Sequence, residues 1–318
     1  MRGRSDFRSR LLLFMAALGC LTILGCSSLR TLPSGIELIQ RVPYQITRVN
    51  THRIAYLDVG QGPPLIFIHG FGGSMWQWEH QYSVLAHTHR VIILDLLGSG
   101  LSDKPEAAYT PKYLLEFFRE FMDALDIPRA TLVGNSMGAG LAMAMALDYP
   151  ERVDRLVLIS GFPAQVETSI ASPHYKSFLY HRPPLWLAKL GNWMAGKKTT
   201  EHILKEIIYN SALISPTIID RSFHNRQRGD FLAPLYSLMD NIKTWEGQYG
   251  NRLQKISHQV LLLWGEHDRV FPLEVGERVK DQLPHVEWHV IPEAGHLAQW
   301  EAPTIVNQYI LSFLERKS

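Results

Sequence analysis

The chain has 318 residues, with 32 Lys and Arg against 30 Asp and Glu, 46% hydrophobic and 19% charged residues, and two Cys. Disorder needs low hydrophobicity with high net charge, and a disulfide framework needs many cysteines, so both classes are excluded. The length fits one large globular domain carrying an insertion.

The formal charge of +2 is unevenly placed. Arg2, Arg4, Arg8 and Arg10 stand against Asp6 alone, and the fifteen residues Leu11 to Gly25 carry no charge. A basic start followed by an apolar run shorter than the roughly 20 residues of a spanning helix has the pattern of a secretory signal; a short uncleaved anchor is the other reading. Both cysteines lie here, and Ile23-Leu24-Gly25-Cys26 resembles the lipobox of bacterial lipoproteins. The resemblance implies cleavage before Cys26, diacylglycerol on its thiol and acylation of the new amino group, which together anchor the chain to a membrane. Cys20 fits less well, because Ala17 replaces the usual aliphatic residue three places before it. Ser27 after Cys26 implies the outer membrane of the cell envelope. Without residues 1–25 the count is 28 basic against 29 acidic, a net −1, so no nucleic-acid partner is expected. The mature fold would hold no disulfide despite an oxidising compartment.

Residues 26–43 read as a lipidated tether, mixing Ser, Pro, Gly and charge without a sustained period. Alternating runs at Tyr44 to Val49 and His52 to Asp58, separated by Asn50-Thr51, predict an antiparallel hairpin. From Leu65 onward the strands read as continuous apolar runs: 65–68, 91–94, 131–133, 156–159, 260–263 and 288–291. Such runs suit strands buried on both faces. Helical spacing at Pro111 to Leu125 and Met137 to Leu147 fills the intervals, so strand and helix alternate. The expected architecture is α/β, a mostly parallel sheet with helices on both faces. About 95 residues separate the sixth strand from the next, with helical pieces at Leu185 to Met194 and His202 to Asn210. The expected division is therefore core over 44–160, insertion over 161–255 and core again over 256–318.

The strand at Thr131 to Val133 runs into Gly134-Asn135-Ser136-Met137-Gly138 and then into a helix. GxSxG in that context lifts a nucleophilic serine above the sheet on a strained turn. A serine nucleophile needs a base, and His296 follows the strand Val286 to Ile291 and the loop Pro292 to Gly295. His285 and His289, at the start of that strand and within it, are expected to be structural. The base needs an orienting carboxylate: Asp268 lies just past the 260–263 strand, with Asp95 and Glu266 as competitors. A developing oxyanion needs donors, supplied by the backbone amides of Phe71, in His69-Gly70-Phe71-Gly72-Gly73-Ser74, and of Met137 at a helix N-terminus. His69 is expected to brace that turn. No phosphate-loop pattern is present, and this chemistry requires no metal or organic cofactor.

At these residues the chain resembles the α/β-hydrolase-fold serine hydrolases of the capped kind, which include esterases, lipases and meta-cleavage C–C hydrolases. HGFGGS, DLLGSGLSDKP (95–105), GNSMGAG (134–140), GEHDRV (265–270) and AGHLAQWEAP (294–303) fall in the family's order across 44–318. The resemblance implies a triad of Ser136, Asp268 and His296, and makes the insertion after the sixth strand a helical cap over the site. Epoxide hydrolases and haloalkane dehalogenases are also similar but carry Asp where this chain has Ser136. Carboxylic ester hydrolysis of an apolar acyl compound is the expected reaction. C–C cleavage of vinylogous diketones is the alternative, weakened by HGFGGS in place of HGxGPG and by Leu297 where Trp often follows the histidine. A non-catalytic lipoprotein that uses the fold for binding is the third reading. The cap's aromatics (Tyr175, Phe178, Trp186, Trp193, Phe223, Phe231, Tyr236, Trp245) line a pocket or form the cap's own core, and for LWLAKLGNWMAGKK (185–198) a resting place against lipid is a further reading beside packing onto the core.

Overall fold

Apolar runs place consecutive side chains on opposite faces of a sheet, so each run feeds two cores at once. The computed structural model describes residues 44–316; Cys26, the signal pattern and the tether lie outside the described residues. Within them, eight strands form one sheet: β1 (Gln45–Val49), β2 (His52–Val59), β3 (Pro64–Ile68), β4 (Arg90–Leu94), β5 (Ala130–Asn135), β6 (Val153–Ile159), β7 (Val260–Gly265) and β8 (Val286–Ile291). Their order is β1-β2-β4-β3-β5-β6-β7-β8. β1 and β2 form the expected hairpin, turning at Asn50 with φ 52°, and β2 also pairs antiparallel with β4; the other pairs are parallel. Leu65, Phe67, Val157 and Ile159 enter the core on one face, and Ile66, Ile68, Leu156 and Leu158 the core on the other.

Helices cover both faces. Between β3 and β4 lies α1 (Tyr82–Leu85); between β4 and β5 lies α2 (Pro111–Ala124). Thr110 caps α2 by accepting the Tyr113 N–H at 3.1 Å, Pro111 occupies its first turn, and Leu114, Phe117, Phe118 and Phe121 form its buried face. α3 (Met137–Asp148) is apolar on every side and buried from Gly138 to Ala146, as a helix wedged between sheet and surrounding helices must be. Six helices separate β6 from β7: α4 (Val166–Ser169), α5 (Pro173–His181), α6 (Leu185–Ile207), α7 (Pro216–Arg226), α8 (Leu232–Asp240) and α9 (Ile242–Tyr249). α10 (Leu273–Asp281), α11 (Ala298–Glu301) and α12 (Pro303–Glu315) complete the chain.

Two boundaries differ from expectation. β5 extends through Asn135, two residues into the GxSxG motif. The pieces at 185–194 and 202–210 belong to one helical run that ends at Ile207 and breaks at Ala195 (φ −130°, ψ 15°). Gly196 and Thr200 have low helix propensity, which hides the continuation in the sequence, but both are buried and packing overrides propensity.

The first turn of α3 crosses the end of β3 so closely that a Cβ on Gly138 would lie 2.2 Å from the Ile68 carbonyl oxygen. Gly138→Ala is therefore expected to cost about 1–3 kcal/mol in urea denaturation. Gly191→Ala, with nothing within 4 Å of the added Cβ, should instead stabilise by about 0.5–1 kcal/mol.

Candidate active site

Ser136 sits between the last residue of β5 and the first of α3 with φ 53° and ψ −119°. A side chain in that region stores about 1–3 kcal/mol of strain and persists only where its surroundings over-determine it. Here the Ser136 N–H donates to the Ile159 carbonyl at 3.0 Å, and the Ser136 carbonyl accepts the Gly140 N–H at 3.1 Å. The neighbouring Asn135 Nδ2 donates to the carbonyls of Ile159 (3.1 Å) and His296 (3.0 Å), tying the serine turn to the histidine loop.

His296 Nδ1 lies 2.8 Å from Asp268 Oδ2, and Asp268 Oδ1 accepts the amides of Val270 (2.8 Å) and Phe271 (2.9 Å). Both side chains are buried. A ring that donates Nδ1–H to a carboxylate keeps its lone pair on Nε2, the form a general base requires. The competitors for the orienting position are otherwise engaged: Asp95 accepts the amides of Met75 and Leu101, both at 2.7 Å, and pins the loops after β3 and β4. Glu266 is exposed and accepts the Glu293 amide at 3.2 Å. His69, fully buried, accepts the Leu96 N–H on Nε2 at 3.1 Å, so its Nδ1–H donates to the Gly70 carbonyl at 2.8 Å. Burial pushes its pKa down, keeping it neutral as a brace. His289 stacks on Tyr309 with ring centroids 3.9 Å apart and meets Glu287 at 2.8 Å, a structural contact.

Phe71 and Met137 line the same cavity as Ser136 and His296. Met137 opens α3, so its N–H is among those a helix leaves without an intrahelical partner. Gly70 brings the Phe71 loop against the serine turn, where an added Cβ would sit 3.2 Å from both Asn135 Oδ1 and Ser136 Cβ. The cavity encloses about 110 Å³ and is walled by side chains such as Leu114, Phe162, Ile170 and Trp245; among the described residues no Lys, Arg, Asp or Glu lines it. Of the cap aromatics singled out above, Tyr175 and Trp245 reach this wall. Trp186 and Trp193 are 68% and 80% exposed, serving neither pocket nor core.

Glu301 received no role from the sequence, although it is the one charge in Leu297 to Ala302. Its Oε1 accepts the Gly295 amide at 2.8 Å, and its Oε2 accepts those of Tyr209 (2.7 Å) and Asn210 (3.1 Å) just past α6. The amides of His296 and Leu297 meanwhile donate to the Ile207 carbonyl at 2.9 and 3.3 Å. The insertion is thus clamped onto the loop that carries His296. Glu79, a buried carboxylate, accepts from Trp300 Nε1 at 2.8 Å and from Arg221 of α7 at 2.5 Å. The described residues also hold one group with metal-ligating potential, His174, His202 and Glu206 on α5 and α6, outside the cavity lining.

The family model for the alpha/beta hydrolase fold matches residues 63–303, and the chain belongs to that family. It is a hydrolase by class, so the binding-only reading lacks support. A 2-hydroxy-6-oxononadienedioate/2-hydroxy-6-oxononatrienedioate hydrolase of Paraburkholderia phymatum is 34% identical over 82% of this chain and 91% of its own length. The structure of the meta-cleavage product hydrolase CumD of Pseudomonas fluorescens is similar with TM-score 0.73 and 25% identity over 85% of this chain and 97% of that one. A membrane phospholipase A, described as a bacterial virulence factor, matches with TM-score 0.68 and 25% identity over 98% of both chains.

Burial raises the Glu301 pKa, the amides of Asn210, Gly295 and Tyr209 pull it back, and Asp268 adds to the rise. A carboxyl with a folded pKa above its unfolded value binds extra protons in the folded state, so its contribution to stability falls as pH rises between the two. Glu301→Gln removes that dependence. Urea unfolding across this window should show the difference between the two proteins moving in favour of Glu301→Gln as pH rises; a constant or opposite trend refutes the assignment.

Proposed function

We propose that the chain is a serine hydrolase of uncharged, apolar carboxylic esters. The observation that carries this reading is the cavity at Ser136 and His296, whose wall is mostly apolar, with Gln77, Asn135 and Asn241 as its amide side chains, and free of charged side chains among the described residues. Burying an isolated charge in such a wall is costly, whereas an acyl chain gains about 0.8 kcal/mol for each buried CH₂. His296 takes the Ser136 proton as Oγ attacks the ester carbonyl, and the amides of Phe71 and Met137 hold the oxyanion. The alcohol leaves with a proton from His296. Water then attacks the acyl-enzyme with the same histidine as base, while Asp268 fixes the ring's tautomer.

A second reading, C–C hydrolysis of vinylogous diketones, is favoured by the relatives, which speak for it more directly than for ester cleavage. The dioate named for the Paraburkholderia enzyme carries two carboxylates, however, and this cavity offers no Lys or Arg to meet them. A series of p-nitrophenyl esters from short to long acyl chains, run beside a dienol diketone, separates the two. Preferential turnover of the diketone would overturn the ester reading.

Ser136→Ala and His296→Ala are each expected to lower kcat on the order of 10⁴-fold with folding intact, and Ser136→Ala to abolish fluorophosphonate labelling. Near-normal turnover by a folded His296→Ala protein rejects the triad.

We further propose attachment to the cell envelope, in the outer membrane, through lipid on Cys26. The basic and apolar N-terminal pattern supports this, as does a match to a membrane phospholipase A that spans 98% of the chain. Cys26→Ser should abolish incorporation of labelled palmitate and release the protein from the membrane fraction; continued labelling excludes Cys26 as the site.

A further inference from the structure

The break at Ala195 divides α6 into unlike halves. The second half is anchored: Gly196, Thr200, Leu204 and Ile207 are buried, and Ile207 holds the histidine loop. The first half, from Leu185 to Met194, buries no residue. Yet it carries Trp186 (68% exposed), Leu187 (42%), Leu190 (45%), Trp193 (80%) and Met194 (71%). Their positions, i, i+1, i+4, i+7 and i+8, share one face of a helix. Scattered exposed apolar residues are ordinary; a contiguous face with two nearly naked indoles is not, and it marks an interaction surface.

We propose that this face of α6 lies in the interfacial region of a lipid bilayer, and that the substrate is an acyl ester drawn from that bilayer. The substrate part rests on the ester reading above. Indole is suited to the boundary between headgroups and acyl chains, because its ring is apolar and its N–H finds polar partners there. Lys189 and Lys197 border the face and pair with Asp230 and Asp220, and the exposed Lys198 adds one basic charge beside it, so the attraction is chiefly apolar. The chain itself supplies proximity. An uncharged run ends at Gly25, and the residues between Cys26 and Tyr44 extend at most about 60 Å at roughly 3.3 Å per residue. A protein held at its N-terminal segment thus keeps its folded part within reach of the membrane, and a second copy of the chain is not needed to cover the face. The helix also bears on the cavity: α5 contributes Tyr175 and α6 contributes Ile207 to its wall.

The test uses the full chain on vesicles of phosphatidylethanolamine and phosphatidylglycerol with brominated acyl chains, which quench tryptophan at the interface. Trp76, Trp78, Trp245, Trp264 and Trp300 are buried and should stay unquenched. Part of the emission should be quenched in the full chain and lost in Trp186→Ser/Trp193→Ser, although the N-terminal segment keeps both proteins on the vesicles. The double variant should hydrolyse a soluble short-chain ester normally but a vesicle-embedded lipid ester at least about tenfold more slowly, the effect of removing two apolar anchors. Leu190→Glu should reproduce the loss. Equal quenching in variant and parent, or none in the parent on sedimented vesicles, overturns the docking. A vesicle-free dimer that the double variant abolishes assigns the face to a second copy and also overturns it. Failure to cleave any ester strikes the substrate reading alone and leaves the quenching result standing.

Discussion

The close approach of helix α3 to the carboxyl ends of β3 and β5 is the constraint on which the rest of the site depends. Added Cβ atoms would lie 2.5 Å from the Ala139 amide nitrogen at Gly134 and 2.2 Å from the Ile68 carbonyl oxygen at Gly138. Only hydrogen fits in those gaps. With both glycines in place the chain reverses from strand to helix within one residue, and that residue, Ser136, takes up the left-handed backbone. The strain is local. The sheet beside it supplies the compensation through the Ile159 carbonyl, which accepts both the Ser136 amide and the Asn135 side chain. The same geometry puts Met137 at a helix start beside the cavity, where its amide has no intrahelical partner.

Four carboxylates with little exposure divide between two tasks. Asp268 has its oxygens satisfied by the imidazole and two amides, and Asp95 by two amides that pin neighbouring loops. Glu301 and Glu79 reach across to the insertion, binding the amides after α6 and the guanidinium of Arg221. Leaving such a group without partners costs more than the pair is worth when intact, so these contacts fix where the insertion sits. The roof over the cavity and the loop that carries His296 are consequently one mechanical unit, joined at Ile207 and Glu301.

That union gives the exposed half of α6 its interest. The helix is fastened at its C-terminal half beside the histidine loop, and its N-terminal half projects an apolar face outward. Relatives that share the fold include hydrolases named for 2-hydroxy-6-oxononadienedioate and one named a membrane phospholipase A, so the fold does not choose between them. The proposed choice between them rests on the composition of the cavity wall and of the outward helix face.

Much of the core was legible along the chain. Apolar runs at 65–68, 91–94 and 260–263 are two-faced strands because nothing polar interrupts them, and GNSMG marks the strand-to-helix turn because its glycines remove the Cβ atoms that would collide. Asp268 could be picked out because it follows such a strand and His296 because it follows the half-buried edge strand β8, but their pairing at 2.8 Å depends on β7 and β8 lying side by side. Glu301 was silent: its three partners come from residues 209, 210 and 295, two of them about ninety positions away in sequence. The continuation of α6 through Gly196 and Thr200 was hidden because packing, not propensity, sustains it. The sequence alone determined the period of burial and the turn that raises Ser136, since both follow from contacts among near neighbours. Tertiary structure alone decided which carboxylate serves His296, which clamp the insertion and which tryptophans remain outside, because those outcomes depend on surfaces that meet only once the chain has folded.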